Sequence, residues 1–115
     1  MELKEFYELQ NSLDKAIVDN MFKVKNEVDH NDIGFLNDRI TALFVEVGEL
    51  ANATRCFKYW SVKPSESRER LLDEYSDVFH FFLSIGNTLD FTVEEIEKAY
   101  LKKNLINHIR QRNGY

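Results

Sequence analysis

Apolar residues recur along this chain at three-, four- and seven-residue intervals, and no run alternates strictly between apolar and polar positions. That pattern predicts helices and no sheet. Leu3, Phe6, Leu13, Ile17, Met21, Val24 and Val28 form one such series, predicting a first helix over 3–28 with this stripe turned toward a core. The polar, glycine-containing stretch 29–34 reads as a connection. A second helix is expected from about Asn37, an acceptable N-cap, to about Phe57, with Ile40, Leu43, Phe44, Val47, Leu50 and Ala51 on its apolar face. After a loop over 58–63, Pro64 and Ser65 supply a stop and a fresh N-cap. Leu71, Leu72, Tyr75, Val78, Phe79, Phe82 and Leu83 then mark a third helix that Gly86 is expected to end. Thr92-Val93-Glu94-Glu95 has the form of a capping box and opens a fourth helix reaching about Arg112.

Four helices with short links predict an all-α, antiparallel four-helix bundle, in which sites are built from side chains projecting between facing helices. The 115 residues show no repeat, low-complexity stretch or internal boundary, so residues 1–115 are expected to form one domain. A first helix of about 26 residues would run ~39 Å, long for so small a domain. With nine Phe and five Tyr in the chain, that length predicts a homodimer or larger homo-oligomer.

Charge narrows the partners. Twenty acidic against fifteen basic residues leave a net charge of −5, which repels a DNA backbone, so no nucleic-acid partner is expected. Charged residues interrupt every apolar stretch and the first residues lack a secretory pattern, so no membrane association is expected. The single Cys56 excludes an intramolecular disulfide and a cysteine-built zinc site, which fits a reducing cytoplasm. Cys56 itself is expected to be a small buried residue.

The chemistry lies in paired carboxylates. Glu46 and Glu49 stand at i and i+3 on the second helix, and Glu74 and Asp77 repeat that spacing on the third, so each pair shares one side of its helix. Core-type neighbours flank both pairs: Val45, Val47 and Leu50 for one, Tyr75 and Val78 for the other. Four carboxylates converging between two helices would repel one another unless cations neutralised them. Hard oxygen ligands suit Mg²⁺, with Mn²⁺ as a substitute, and Mg²⁺ commonly bridges protein carboxylates to phosphates, so a phosphate-bearing substrate is expected. On this reading the charge of Glu74 supports no folding, and Glu74→Gln should leave metal-free stability unchanged or raised. The bland alternative is that, with twenty acidic residues, such pairs are merely a solvated face.

Glu46-Val47-Gly48-Glu49 followed by Glu74-Tyr75-Ser76-Asp77 resembles the signature of the all-α nucleotide pyrophosphatases, which include MazG-like proteins, dCTP pyrophosphatases and the dimeric dUTPases. Val45 to Asn52, Phe57-Lys58-Tyr59-Trp60-Ser61, Leu72 to Ser84 and Tyr100 to Tyr115 are similar to the dimeric dUTPase branch of phages and Firmicutes. The resemblance implies Mg²⁺-dependent conversion of dUTP, and possible use of dUDP, to dUMP, limiting uracil incorporation into DNA. It implies Glu46, Glu49, Glu74 and Asp77 as metal ligands, with Glu49 as general base and Glu46 beside it in catalysis. It further implies Trp60, Gln10 and Asp14 at the uracil, Lys58 and Arg68 at phosphate, and His80 near metal or base. Lys103, Asn104 and Arg110, on the fourth helix, are implied phosphate or sugar contacts.

Three alternatives stay open. The carboxylates bind metal and triphosphate without reading the base, so the substrate could be dCTP or another nucleotide. A di-iron carboxylate site needs two Glu-x-x-His units, and only Asp77-x-x-His80 approximates one here. A non-catalytic helical interaction module would use the same acidic faces without metal.

Overall fold

The computed structural model describes residues 1–22 and 28–114. It contains four α-helices, α1 (Leu3–Phe22), α2 (Leu36–Thr54), α3 (Arg68–Thr88) and α4 (Val93–Arg112), with a short 3₁₀ turn over Ile33–Phe35 before α2. The described residues contain no strand, so the all-α expectation holds. Of the first helix predicted over 3–28, Val24 lies outside the described residues and Val28 is already a bend.

Side-chain chemistry sets the helix ends. The 3₁₀ turn is capped by Asp32, which accepts from the Gly34 amide, and it leads straight into α2 with Phe35, rather than Asn37, at the N-cap. α2 stops at Arg55, whose φ of 61° is left-handed, a conformation that terminates helices. Ser67, not Ser65, caps α3 by accepting from the Arg70 amide. At α4 the capping box forms as expected, with Thr92 and Glu95 each satisfying the other's backbone amide. Gly86 does not end α3. It lies inside the helix because Tyr7 of α1 packs on it: a Cβ there would stand 2.0 Å from the tyrosine Oη.

α2 and α3 run antiparallel, since the Glu66 amide donates to the Ala53 carbonyl at one end while Arg39 donates to Thr88 at the other. α1 lies against α3, where Phe6 meets Phe79 edge-on with ring centroids 5.3 Å apart. α4 makes few contacts with the other three helices and has no buried residue.

The faces are not those that hydrophobicity predicts. On α1 the buried positions are Tyr7, Gln10, Asp14 and Val18, whereas Leu13, Ile17 and Met21, expected in the core, are exposed together with Leu9. On α2 the buried residues are Arg39 and Ala53, and Ile40, Phe44 and Val47 face outward. On α3 they are Glu74, Leu83, Ser84, Gly86 and Thr88, while Leu72, Tyr75 and Phe82 are exposed. The interior between α1, α2 and α3 is thus lined largely by polar groups that bond to one another, and the apolar stripes are left on the outside. The accessible surface of 9041 Å² exceeds by roughly 2,500 Å² the area expected of a compact monomer of 13.6 kDa. Likewise the radius of gyration, 17.7 Å, exceeds the ~13 Å expected for this length.

Candidate metal centre

Antiparallel pairing of α2 and α3 brings Glu46 opposite the first half of α3. Glu46, Glu74 and Asp77 each offer a carboxylate oxygen, and the three oxygens lie within 4.8 Å of one another. Of the four expected ligands, Glu49 stands outside this trio and is exposed. Desolvation raises the Glu46 carboxyl above its ordinary value, and the charges of Asp77, Glu74 and, least, Glu49 add to the rise. Like charges this close disfavour ionisation, so the three carboxylates within 4.8 Å of one another concentrate negative charge. A hard dication with oxygen ligands would offset that charge, and the donor set fits Mg²⁺ or Mn²⁺.

Glu74 is buried and is met by a residue of its own helix. Arg70, one turn earlier, places Nη2 2.7 Å from Glu74 Oε1, and its other nitrogens approach Asp73 at 3.3 Å and Glu66 at 3.4 Å. Sequence reasoning passed over Arg70. The i, i+4 spacing to a proposed ligand was the signal available for it.

A second polar layer lies two helical turns further along α3. Asp14 accepts from Gln10 Nε2 at 3.0 Å on one oxygen and from Ser84 Oγ at 2.5 Å on the other. Arg39 stands 3.9 Å from Asp14 and donates to Thr88 Oγ1 at 2.6 Å, to Asn31 Oδ1 at 3.1 Å and to the His30 carbonyl. Thr88 donates in turn to the Ser84 carbonyl, and Asn31 to Asn11 Oδ1. Gln10 and Asp14, expected on the basis of resemblance to face a base, are therefore joined and buried. Gln10 keeps its amide oxygen for another partner, whereas both Asp14 oxygens are engaged. Arg39, Ser84 and Thr88 were not anticipated. Arg39 stands seven residues before Glu46 on the same face of α2, a spacing legible in the sequence once that face is known to be polar.

The remaining candidates are more open. Trp60 is 63% exposed, held edge-on between Phe57 and Tyr59, with Lys58 Nζ 5.8 Å from the Phe57 ring centre. Arg68 is exposed at the first position of α3. His80 is exposed, with Nδ1 2.8 Å from the Ser76 carbonyl, so the proton belongs on Nδ1. Lys103, Asn104 and Arg110 lie on α4, which the chain does not bring against the carboxylates. Cys56 is exposed rather than buried, because α2 has ended and the chain turns outward at Arg55. No helix among the described residues is long and apolar enough to cross a membrane.

No solved structure matches the chain. It is similar to the dCTP pyrophosphatase of Enterobacteria phage T4, at 32% identity over 70% of this chain and 56% of that protein. It is also similar to the dCTP pyrophosphatase of Enterobacteria phage LZ5, at 29% identity over 74% of this chain and 59% of that protein. The chain thus spans under two thirds of the length of these relatives. A sequence model described as dUTPase matches residues 2–91 and 82–115, and on that match the chain belongs to the dUTPase family.

Proposed function

We propose that this chain is a Mg²⁺-dependent nucleoside triphosphate pyrophosphohydrolase that converts dUTP and water to dUMP and pyrophosphate. The observation that carries the reading is the carboxylate trio formed where α2 faces α3. Glu46, Glu74 and Asp77 would hold the metal, and Glu49 would complete the set from its more open position. A Mg²⁺ ion bound there would supply charge neutralisation and orientation for the triphosphate. Glu49, whose carboxylate is outside the trio, takes the proton from the attacking water. Family membership and the phage relatives support pyrophosphate release from a nucleotide.

Base choice rests on the second polar layer. Ser84 follows Asp77 by seven residues, so the two layers are separated by ~10.5 Å along α3. That is a span suited to a nucleotide with phosphates at one layer and base at the other. With its nitrogen held by Asp14, Gln10 presents an acceptor oxygen, which suits the N3–H of uracil. The same oxygen could accept from the amino group of cytosine, and the similarity to dCTP pyrophosphatases keeps dCTP as the second reading.

Assembly into a homo-oligomer belongs to the same proposal. The outward stripe Leu9, Leu13, Ile17 and Met21 on α1 and the stripe Leu101, Leu105 and Ile109 on α4 are each 41–67% exposed. Separately from both stripes, an apolar groove of about 680 Å³ is lined by Leu3, Ile40, Phe44, Phe82, Phe91 and Ile96 among others. The excess surface matches in scale the area of obligate homodimer interfaces. Assembly would also bring Lys103, Asn104 and Arg110 to a carboxylate cluster. Pyrophosphate release from a panel of dUTP, dUDP, dCTP, dATP and dTTP, with and without Mg²⁺, tests the reading. Mg²⁺-dependent release from dUTP well ahead of dCTP is expected, equal rates defeat the base assignment, and no release defeats the enzyme.

A further inference from the structure

We propose that Arg70 is the resident counter-cation of the carboxylate cluster: it holds Glu74 until a divalent metal takes over that charge, and its freed guanidinium then clamps the phosphate chain of the nucleotide. The inference rests on Glu46, Glu74 and Asp77 being metal ligands. Arg70 reaches three carboxylates at once, but its partners differ. The Asp73 and Glu66 side chains are 69% and 52% exposed, whereas Glu74 is 7% exposed. Exposed ion pairs contribute little and exchange readily with water. The contact with Glu74 is the one that matters, because a buried carboxylate left alone is costly.

A dication among Glu46, Glu74 and Asp77 changes the balance. It supplies the charge that Arg70 lends to Glu74, and it repels a guanidinium held 2.7 Å from a ligand oxygen. Arg70 itself is half-exposed, so its long side chain is free to leave on the solvent side. The nearest new anion is the phosphate chain that the metal draws to the cluster, and a planar guanidinium fork matches phosphate oxygens two at a time. Cluster and clamp are thereby coupled: the cation that guards the ligand without metal becomes a substrate contact with it.

The test measures Mn²⁺ binding to the wild type, Arg70→Gln and Arg70→Lys by the EPR signal of the free ion, followed by binding of a non-hydrolysable imido analogue of dUTP. Removing a competing cation should tighten Mn²⁺ binding of Arg70→Gln roughly three- to tenfold and weaken binding of the analogue about tenfold. Arg70→Lys, which keeps the charge but loses the fork, should bind Mn²⁺ as the wild type does and the analogue with intermediate strength. Mn²⁺ affinity unchanged or reduced in Arg70→Gln would overturn the proposal, because a residue that merely props Glu74 predicts that loss. Tighter Mn²⁺ binding with unchanged analogue affinity would overturn the clamp. If the wild type still releases pyrophosphate from dUTP in either case, the assigned function survives. A wild type that binds no Mn²⁺ overturns both.

Discussion

The two polar layers between the helices are built from the same kinds of side chain and differ in how their charge is balanced. In the layer around Asp14, the acid has Arg39 beside it and hydrogen bonds to both oxygens, and Arg39 in turn engages Thr88, Asn31 and the His30 carbonyl. In the layer around Glu46, three carboxylates crowd within 4.8 Å, and one arginine reaches only the Glu74 member. Apart from the Gln10 amide oxygen, the first is a closed network that fixes how α1, α2 and α3 meet. Among the described residues the second has more carboxylates than cations, as the proposed dication site requires. A buried polar group is thus no guide to function until its partners are counted.

Breaking the completed layer should have the largest effect. Arg39→Met leaves Asp14 without its cation in a buried site, and a loss of about 3–5 kcal/mol is expected. Chemical denaturation of the metal-free protein would measure it, and a loss below about 1 kcal/mol would place Arg39 among dispensable surface charges. In the cation-poor layer, Asp77→Asn should reduce Mg²⁺-dependent turnover by about a hundredfold or more while the fold survives. Steady-state rates over a Mg²⁺ series with circular dichroism would separate the two effects.

A smaller effect is expected where α1 crosses α3. Gly86→Ala drives a methyl group into the Tyr7 hydroxyl, and a loss of about 1–3 kcal/mol should appear in thermal melts. Replacing Tyr7 with Phe in the same chain should recover part of it.

The smallest expected change carries the sharpest sign. Folding raises the Glu46 carboxyl above its ordinary value of 4.5, so in metal-free protein the ionised residue opposes folding at neutral pH. Glu46→Gln should melt slightly higher than the wild type near pH 7. The gap should close as pH falls through the raised value and vanish below the ordinary one. A gap that persists at low pH would mean that the gain is unrelated to charge.

Glu74 shows where sequence reasoning reached its limit. Spacing alone found both carboxylate pairs, because i and i+3 share a helix side whatever surrounds them. Repulsion was expected to make Glu74→Gln neutral or stabilising without metal, but Arg70 compensates Glu74. The stabilising outcome therefore belongs to Glu46, and Glu74→Gln should lower metal-free stability. Helix existence and the Thr92 capping box were equally legible, since both depend on near neighbours. The faces were not. Leu13, Ile17 and Met21 form a regular apolar stripe, and periodicity cannot say whether such a stripe meets its own chain or another. Likewise Gly86 reads as a terminator until Tyr7 is known to lie on it.

α4 has a consequence of its own. A 20-residue helix with a capping box but no buried side chain lacks the tertiary packing that supplies most helical stability in proteins. Its backbone amides should therefore trade hydrogen for deuterium soon after dilution, while those of α2 and α3 remain guarded, and the contrast should fade as protein concentration rises. The last fifth of the chain would then act as a gauge of how crowded the protein is with its own kind.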